Sequence, residues 1–264
     1  MSTRLAALVR KELAVLFGSP LAWLTLAGVA LVTALLFFDH LRVYNQILFL
    51  YSSDTMGGFT TDTVPIYVNL RDQVFLPVME TLALTLIGLV PLVTMRVFAE
   101  ERARGTDELL GTTRLTPGEI VAGKLLATYG FVALLMALSF VYPATSIVRS
   151  GLGLPHLFAV YAGMLGLGIA LASIGLVCSA FTESQLLAAI SAYAIAFVLY
   201  DFRWTTQFLP EAAAAWIDPL SLHLRFGAFA EGLVRAPDVA YFAGYVLVAA
   251  ALVRLAWDQR RVGA

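Results

Sequence analysis

Long apolar runs separated by short polar segments recur along the whole chain, and no other feature limits its fold as much. A helix needs about 20 apolar residues to cross roughly 30 Å of hydrocarbon, and its backbone polar groups must be satisfied within the protein there. Pro20 to Phe38 carries no charge, and Pro20 suits a first helical turn. Residues 74–95 carry one acid, Glu80, while 125–148 and 157–180 are uncharged. Residues 184–200 are shorter but also free of charge, and 237–254 end on Arg254, whose long side chain reaches toward the interface. These runs predict an all-α integral membrane fold, six transmembrane helices in a single domain over residues 1–264.

Hydrophobic residues make up 60% of the chain and charged residues 13%. Soluble domains run at about half and a quarter, so the composition argues against a soluble globular fold. A formal net charge of −1 gives no general attraction to nucleic acid. The single cysteine, Cys178, leaves no disulfide framework and no CxxC pair. No short basic tip precedes the first apolar run and no A-x-A site follows it before Asp39, so that run is expected to stay as a span.

Orientation follows Lys and Arg in the connecting segments. With the N-terminus in the cytoplasm, 11 of the 17 fall inside although the outer segments are longer, so both termini are expected to be cytoplasmic. In residues 2–19, Leu5, Leu8, Val9, Leu13, Leu16 and Phe17 share one helical face and Arg4 and Lys11 lie elsewhere, the pattern of an amphipathic interfacial helix. Residues 39–73 are polar and contain Gly57-Gly58, which predicts an irregular outer loop. Residues 201–236 break short apolar pieces with Asp218-Pro219, His223, Arg225 and Glu231, which predicts short re-entrant or surface helices before the sixth span.

The polar insert between the second and third spans, residues 96–124, holds ten of the 35 Asp, Glu, Lys and Arg residues, five of each sign. Such a concentration belongs in water and reads as a surface for a protein partner, carried by Glu100, Glu101, Arg102, Arg104, Gly105, Thr106, Asp107, Glu108, Leu109 and Leu110. Residues 96–104 read as a helix leaving the second span, with Gly105 as its stop and Thr106 as the cap of a short helix over Asp107 to Leu110. Asp107 and Glu108 then sit where the helix dipole favours acids. Thr116-Pro117-Gly118-Glu119 is a full capping box, Thr116 at N-cap and Glu119 at N3, so a helix restarts there and runs into the third span.

Gly118 to Lys124 copies the glycine and lysine spacing of a P-loop, but Leu125 stands where Ser or Thr must hold magnesium and no strand precedes Gly118. The chain is therefore expected to bind no nucleotide or other cofactor and to be no enzyme. His40, His156 and His223 show no metal-ligand spacing. Glu80, an acid inside a span, is expected to make an interhelical hydrogen bond or an outer-leaflet contact. In the fourth span Ala162, Gly166 and Ala170 repeat every four residues, as do Gly168 and Ala172, which suits close packing within the subunit or against another.

Several stretches resemble the membrane subunit of ABC-2-type transporters, and within it the gliding-motility-type permease branch. They are Lys11-Glu12-Leu13 with Ser19-Pro20, Thr94-Met95-Arg96 followed by Phe98-Ala99-Glu100-Glu101, Gly105-Thr106 with Glu108-Leu109-Leu110, and Glu119-Ile120-Val121 with Gly123-Lys124. Phe181 to Gln185 resembles that branch's second cytoplasmic turn, and Asp218 to Gly232 its outer segment before the last span. The resemblance implies a multi-pass protein of the inner (cytoplasmic) membrane, paired with a second copy or a related permease. It also implies separate cytoplasmic ATPase subunits that hold ATP and Mg2+. Thr106 to Leu110 would be the coupling helix docking in the ATPase, with Glu183 in a second, smaller contact. Members of this branch often act beside an auxiliary protein with an outer-face domain. The expected function is export driven by the partner ATPase; the alternative is a scaffold that transmits ATP-driven motion to an outer-face partner without moving cargo.

Overall fold

A computed structural model describes residues 3–56, 68–107, 113, 115–149, 153–201, 210 and 218–263. Among these the chain is predominantly helical, without a strand. Helix α1 is Thr3–Phe17, α2 Pro20–Met56, α3 Leu76–Thr94 preceded by a π-helical turn at Arg71–Phe75, and α4 Arg96–Ala103. Beyond the insert come α5 Pro117–Ser139, α6 Val141–Arg149, α7 Gly153–Phe181, α8 Gln185–Tyr200, α9 Leu222–Ala230 and α10 Ala236–Gly263. Five described helical segments are long and apolar enough to cross a membrane: Pro20–Tyr51, Arg71–Ala103, Pro117–Ser139, Gly153–Phe181 and Ala236–Gln259; α8 is a shorter apolar helix.

Helix α7 is the hub, packed by α3, α5, α8, α9 and α10. Its small residues explain how so many neighbours fit. A Cβ at Gly163 would lie 2.4 Å from Phe229 of α9, one at Gly166 2.7 Å from Phe242 of α10, and one at Gly168 2.7 Å from Val132 of α5. Gly163, Gly166 and Gly168 thus serve close packing within the chain.

Two expectations are corrected. Residues 39–73 do not begin as an irregular loop: α2 continues unbroken to Met56. No Gly or Pro lies between Phe38 and Gly57, and Leu41 and Tyr44 still pack against the core, so nothing stops the helix at the end of the apolar run. The stretch 125–148 is likewise not one helix, because α5 ends at Ser139 and α6 starts at Val141. Pro143 has no N–H to give to the Ser139 carbonyl four residues back. The Tyr161 hydroxyl of α7 donates to that carbonyl instead, at 2.9 Å. Before the last long helix, a 3-10 turn at Asp218–Leu220 and the nine-residue α9 are present, with Leu222, Phe226 and Phe229 buried.

Candidate functional site

The polar insert rises from a break between α3 and α4 at Met95. One hydroxyl holds this break together. Ser179 of α7, fully buried, donates to the Met95 carbonyl at 2.8 Å and accepts from the Phe98 and Ala99 amides at 3.1 and 3.0 Å. A serine hydroxyl has one donor and two acceptor sites, so all three are used. One turn earlier on α7, Gly175 leaves room for Thr94, whose Oγ1 would be 1.9 Å from an added Cβ.

Two local signals in the insert, the Gly105 stop and the Thr116 capping box, hold, whereas the Thr106 cap does not. Gly105 takes φ +65°, the left-handed geometry that ends a helix, directly after α4. Helical geometry resumes at Thr106 and Asp107, so Thr106 is already inside the new turn rather than capping it, and its hydroxyl donates back to the Glu101 carbonyl at 3.3 Å. Glu108, Leu109 and Leu110 lie outside the described residues. The capping box is complete: the Glu119 amide donates to Thr116 Oγ1 at 3.3 Å, and the Thr116 amide to Glu119 Oε2 at 2.9 Å.

The charges at the base of the insert are largely turned inward. Lys124 is fully buried, and its ammonium lies 2.8 Å from Glu101 Oε2 and 3.0 Å from Glu12 Oε2. It also donates to the Val97 carbonyl at 3.1 Å and stands 5.2 Å from the Phe98 ring centre. Lys11 closes the set, 2.8 Å from Glu12 and 2.9 Å from Glu101. Burial pulls the Lys11 ammonium down, but hydrogen bonds and charge from Glu12 and Glu101 outweigh it and leave its pKa above the usual 10.5. Two cations thus face two carboxylates, and one neutral cluster joins α1, α4 and α5.

Helix α1 is packed into the bundle through α5. Leu8 presses into the notch at Gly123 of α5, where an added Cβ would lie 2.5 Å from Leu8 Cδ2, and Glu12 is buried on the same side. This also explains the P-loop-like spacing: residues 118–124 are helical, Gly123 receives Leu8 and Lys124 anchors the cluster.

Of the residues expected on a docking surface, Glu100 and Glu101 are only 15% and 17% exposed and Arg102 is buried, whereas Arg104 and Gly105 are exposed. Asp107 is half-buried. Glu100 pairs through Oε2 with Arg96 at 2.8 Å and through Oε1 with Arg104 at 2.7 Å. The Arg96 guanidinium also donates to Ser19 Oγ. Glu183 is exposed in the turn between α7 and α8, beyond Ser179 and hence at the α4 end of the bundle; Ser184 caps α8. Glu80 is exposed on α3, with no interhelical hydrogen bond among the described residues.

Glu12, Lys124 and Ser179 are the residues that sequence reasoning passed over. Glu12 had a visible signal, since it lies four residues from both Leu8 and Leu16, in the middle of the apolar stripe of α1. An acid there needs a buried cation. Ser179 left no such trace within a run of small residues.

Compared with protein-family models and with curated proteins, the chain matches none.

Proposed function

We propose that the chain is the membrane subunit of an ABC-2-type exporter, driven by separate cytoplasmic ATPase subunits that hold ATP and Mg2+. In this reading α8 is the sixth span, both termini are cytoplasmic, the protein sits in the inner membrane, and a second copy or related permease completes the pathway. The Lys124 cluster carries the proposal. An insert that served only as a solvated loop would need no rigid base. Here its two stems, α4 and α5, are tied to each other and to α1 by a buried ion network, and α4 is tied to α7 by Ser179. A push on the insert is therefore passed to α3 and α5 as rigid tilts rather than absorbed locally, which is the mechanical requirement of a coupling element. Exposed Glu183, at the same end, supplies the second contact.

Glu108→Arg tests this reading. It is expected to reduce ATPase co-purification and transport while size-exclusion behaviour and melting temperature stay unchanged. Undiminished assembly and transport would remove the coupling assignment.

One observation favours the mechanical alternative. At 37 residues and about 1.5 Å per residue, α2 is about 55 Å long, well beyond roughly 30 Å of hydrocarbon. Its outer end offers a lever to an outer-face partner. Cross-linking from that end to a partner protein, together with ATPase activity but no cargo movement, would select this version.

A further inference from the structure

A cleft of about 450 Å3 opens beside the ion cluster, between α1, the start of α2, the α3–α4 junction and α5. We propose that it holds the phosphate headgroup of an acidic membrane lipid, received by Arg96 and Arg104.

Charge is the first argument. The Lys11, Lys124, Glu12 and Glu101 set is neutral, but Arg96 and Arg104 share the single carboxylate of Glu100. Among the described residues, one positive charge at the cleft is left without a counter-charge. The Arg104 side chain is 70% exposed, and Arg96 is held in place by Ser19. Guanidinium groups present planar donors suited to phosphate oxygens, and a pair sharing one carboxylate keeps donors free for a second anion.

The walls are the second argument. Apart from these charges and the hydroxyls of Ser19, Thr106, Thr113 and Thr128, the cleft is lined by apolar side chains, among them Val15, Leu21, Ala22, Val93 and Ala127. A free phosphate has no use for such walls, whereas the glycerol and upper acyl carbons of a lipid would cover them.

Depth is the third. Trp23, 59% exposed, stands at the elbow between α1 and α2 and donates its indole N–H to the Phe17 carbonyl at 2.8 Å. Exposed tryptophans of membrane proteins collect at headgroup level. Ser19 and Leu21 of the cleft flank this elbow in sequence, so the cleft sits where headgroups lie and acyl chains begin. The pocket's chemistry is independent of whether an ATPase binds the insert.

Native mass spectrometry of the full chain released from detergent tests the proposal, with dioleoylphosphatidylglycerol, dioleoylphosphatidylcholine or inorganic phosphate added separately. The wild type is expected to retain phosphatidylglycerol at least about ten-fold more than phosphatidylcholine, the scale of a hydrogen-bonded charge contact. Arg104→Gln, an exposed position whose loss leaves the fold intact, is expected to abolish that preference, and Arg10→Gln on the exposed face of α1 to keep it. Millimolar inorganic phosphate is expected not to displace the lipid; full displacement by it would overturn the lipid source. Equal retention of both lipids, or an unchanged preference in both Arg104→Gln and Arg96→Gln, would overturn the site itself.

Discussion

Replacing Lys124 with methionine is the sharpest perturbation of the base of the insert. The methionine fills similar space, but Glu12 and Glu101 are left with Lys11 alone, two carboxylates against one half-exposed cation. The Val97 carbonyl loses its donor as well. Breaking a buried ion pair by removing one partner costs about 3–5 kcal/mol, because the remaining charge stays desolvated. At about 2–4 °C per kcal/mol for a chain of this size, the melting temperature should fall by about 10 °C. Scanning fluorimetry on the four tryptophans, in detergent, reads this directly. The double variant Lys124→Met with Glu101→Gln restores one cation to one carboxylate and is expected to recover most of the loss, a coupling visible in a double-mutant cycle. A single variant as stable as wild type, or a double variant no better than the single, would refute the claim that the cluster is held by charge parity.

Three further outcomes follow from the same geometry. Ser179→Ala removes three hydrogen bonds and strands the Phe98 and Ala99 amides, so stability should drop by about 2–4 kcal/mol, with faster hydrogen exchange confined to residues 95–102. Thr116→Ala breaks the capping box and should cost about 1 kcal/mol, whereas Thr116→Ser should be near neutral in the same melting assay. Lys11, whose pKa is raised in the fold, contributes stability that is complete below 10.5 and lost as pH rises through its folded value. The difference in melting temperature between wild type and Lys11→Met should therefore stay constant from about pH 6 to 9 and shrink only above about 10.5.

What was legible in the sequence was local or periodic. Thr116 and Glu119 are three residues apart and specify their own helix start, and Gly105 stops α4 because glycine, lacking a Cβ, takes the left-handed turn at little cost. The apolar runs were legible because lipid fixes their length. Helix ends were harder: the first apolar run ends at Phe38, yet helix geometry persists to Met56 because polarity alone does not break a helix. The split of the third run was written in Pro143, whose missing N–H frees the Ser139 carbonyl. The ion cluster could not be read, since Glu12 and Lys124 are 112 residues apart and meet only once Leu8 has seated on Gly123. For that reason the insert's charges read as a solvated recognition surface, although Glu101 and Lys124 are consumed in holding its own base.

The most direct test of the proposed coupling is purification of the protein from native membranes in mild detergent, with mass spectrometry of all retained proteins and an ATPase assay on the eluate. A P-loop ATPase should co-purify with the wild type and be lost when residues 106–110 are replaced by a glycine-serine segment, with the subunit itself still folded. Recovery of the wild-type subunit without any ATPase, under conditions that preserve other membrane complexes, would contradict the account.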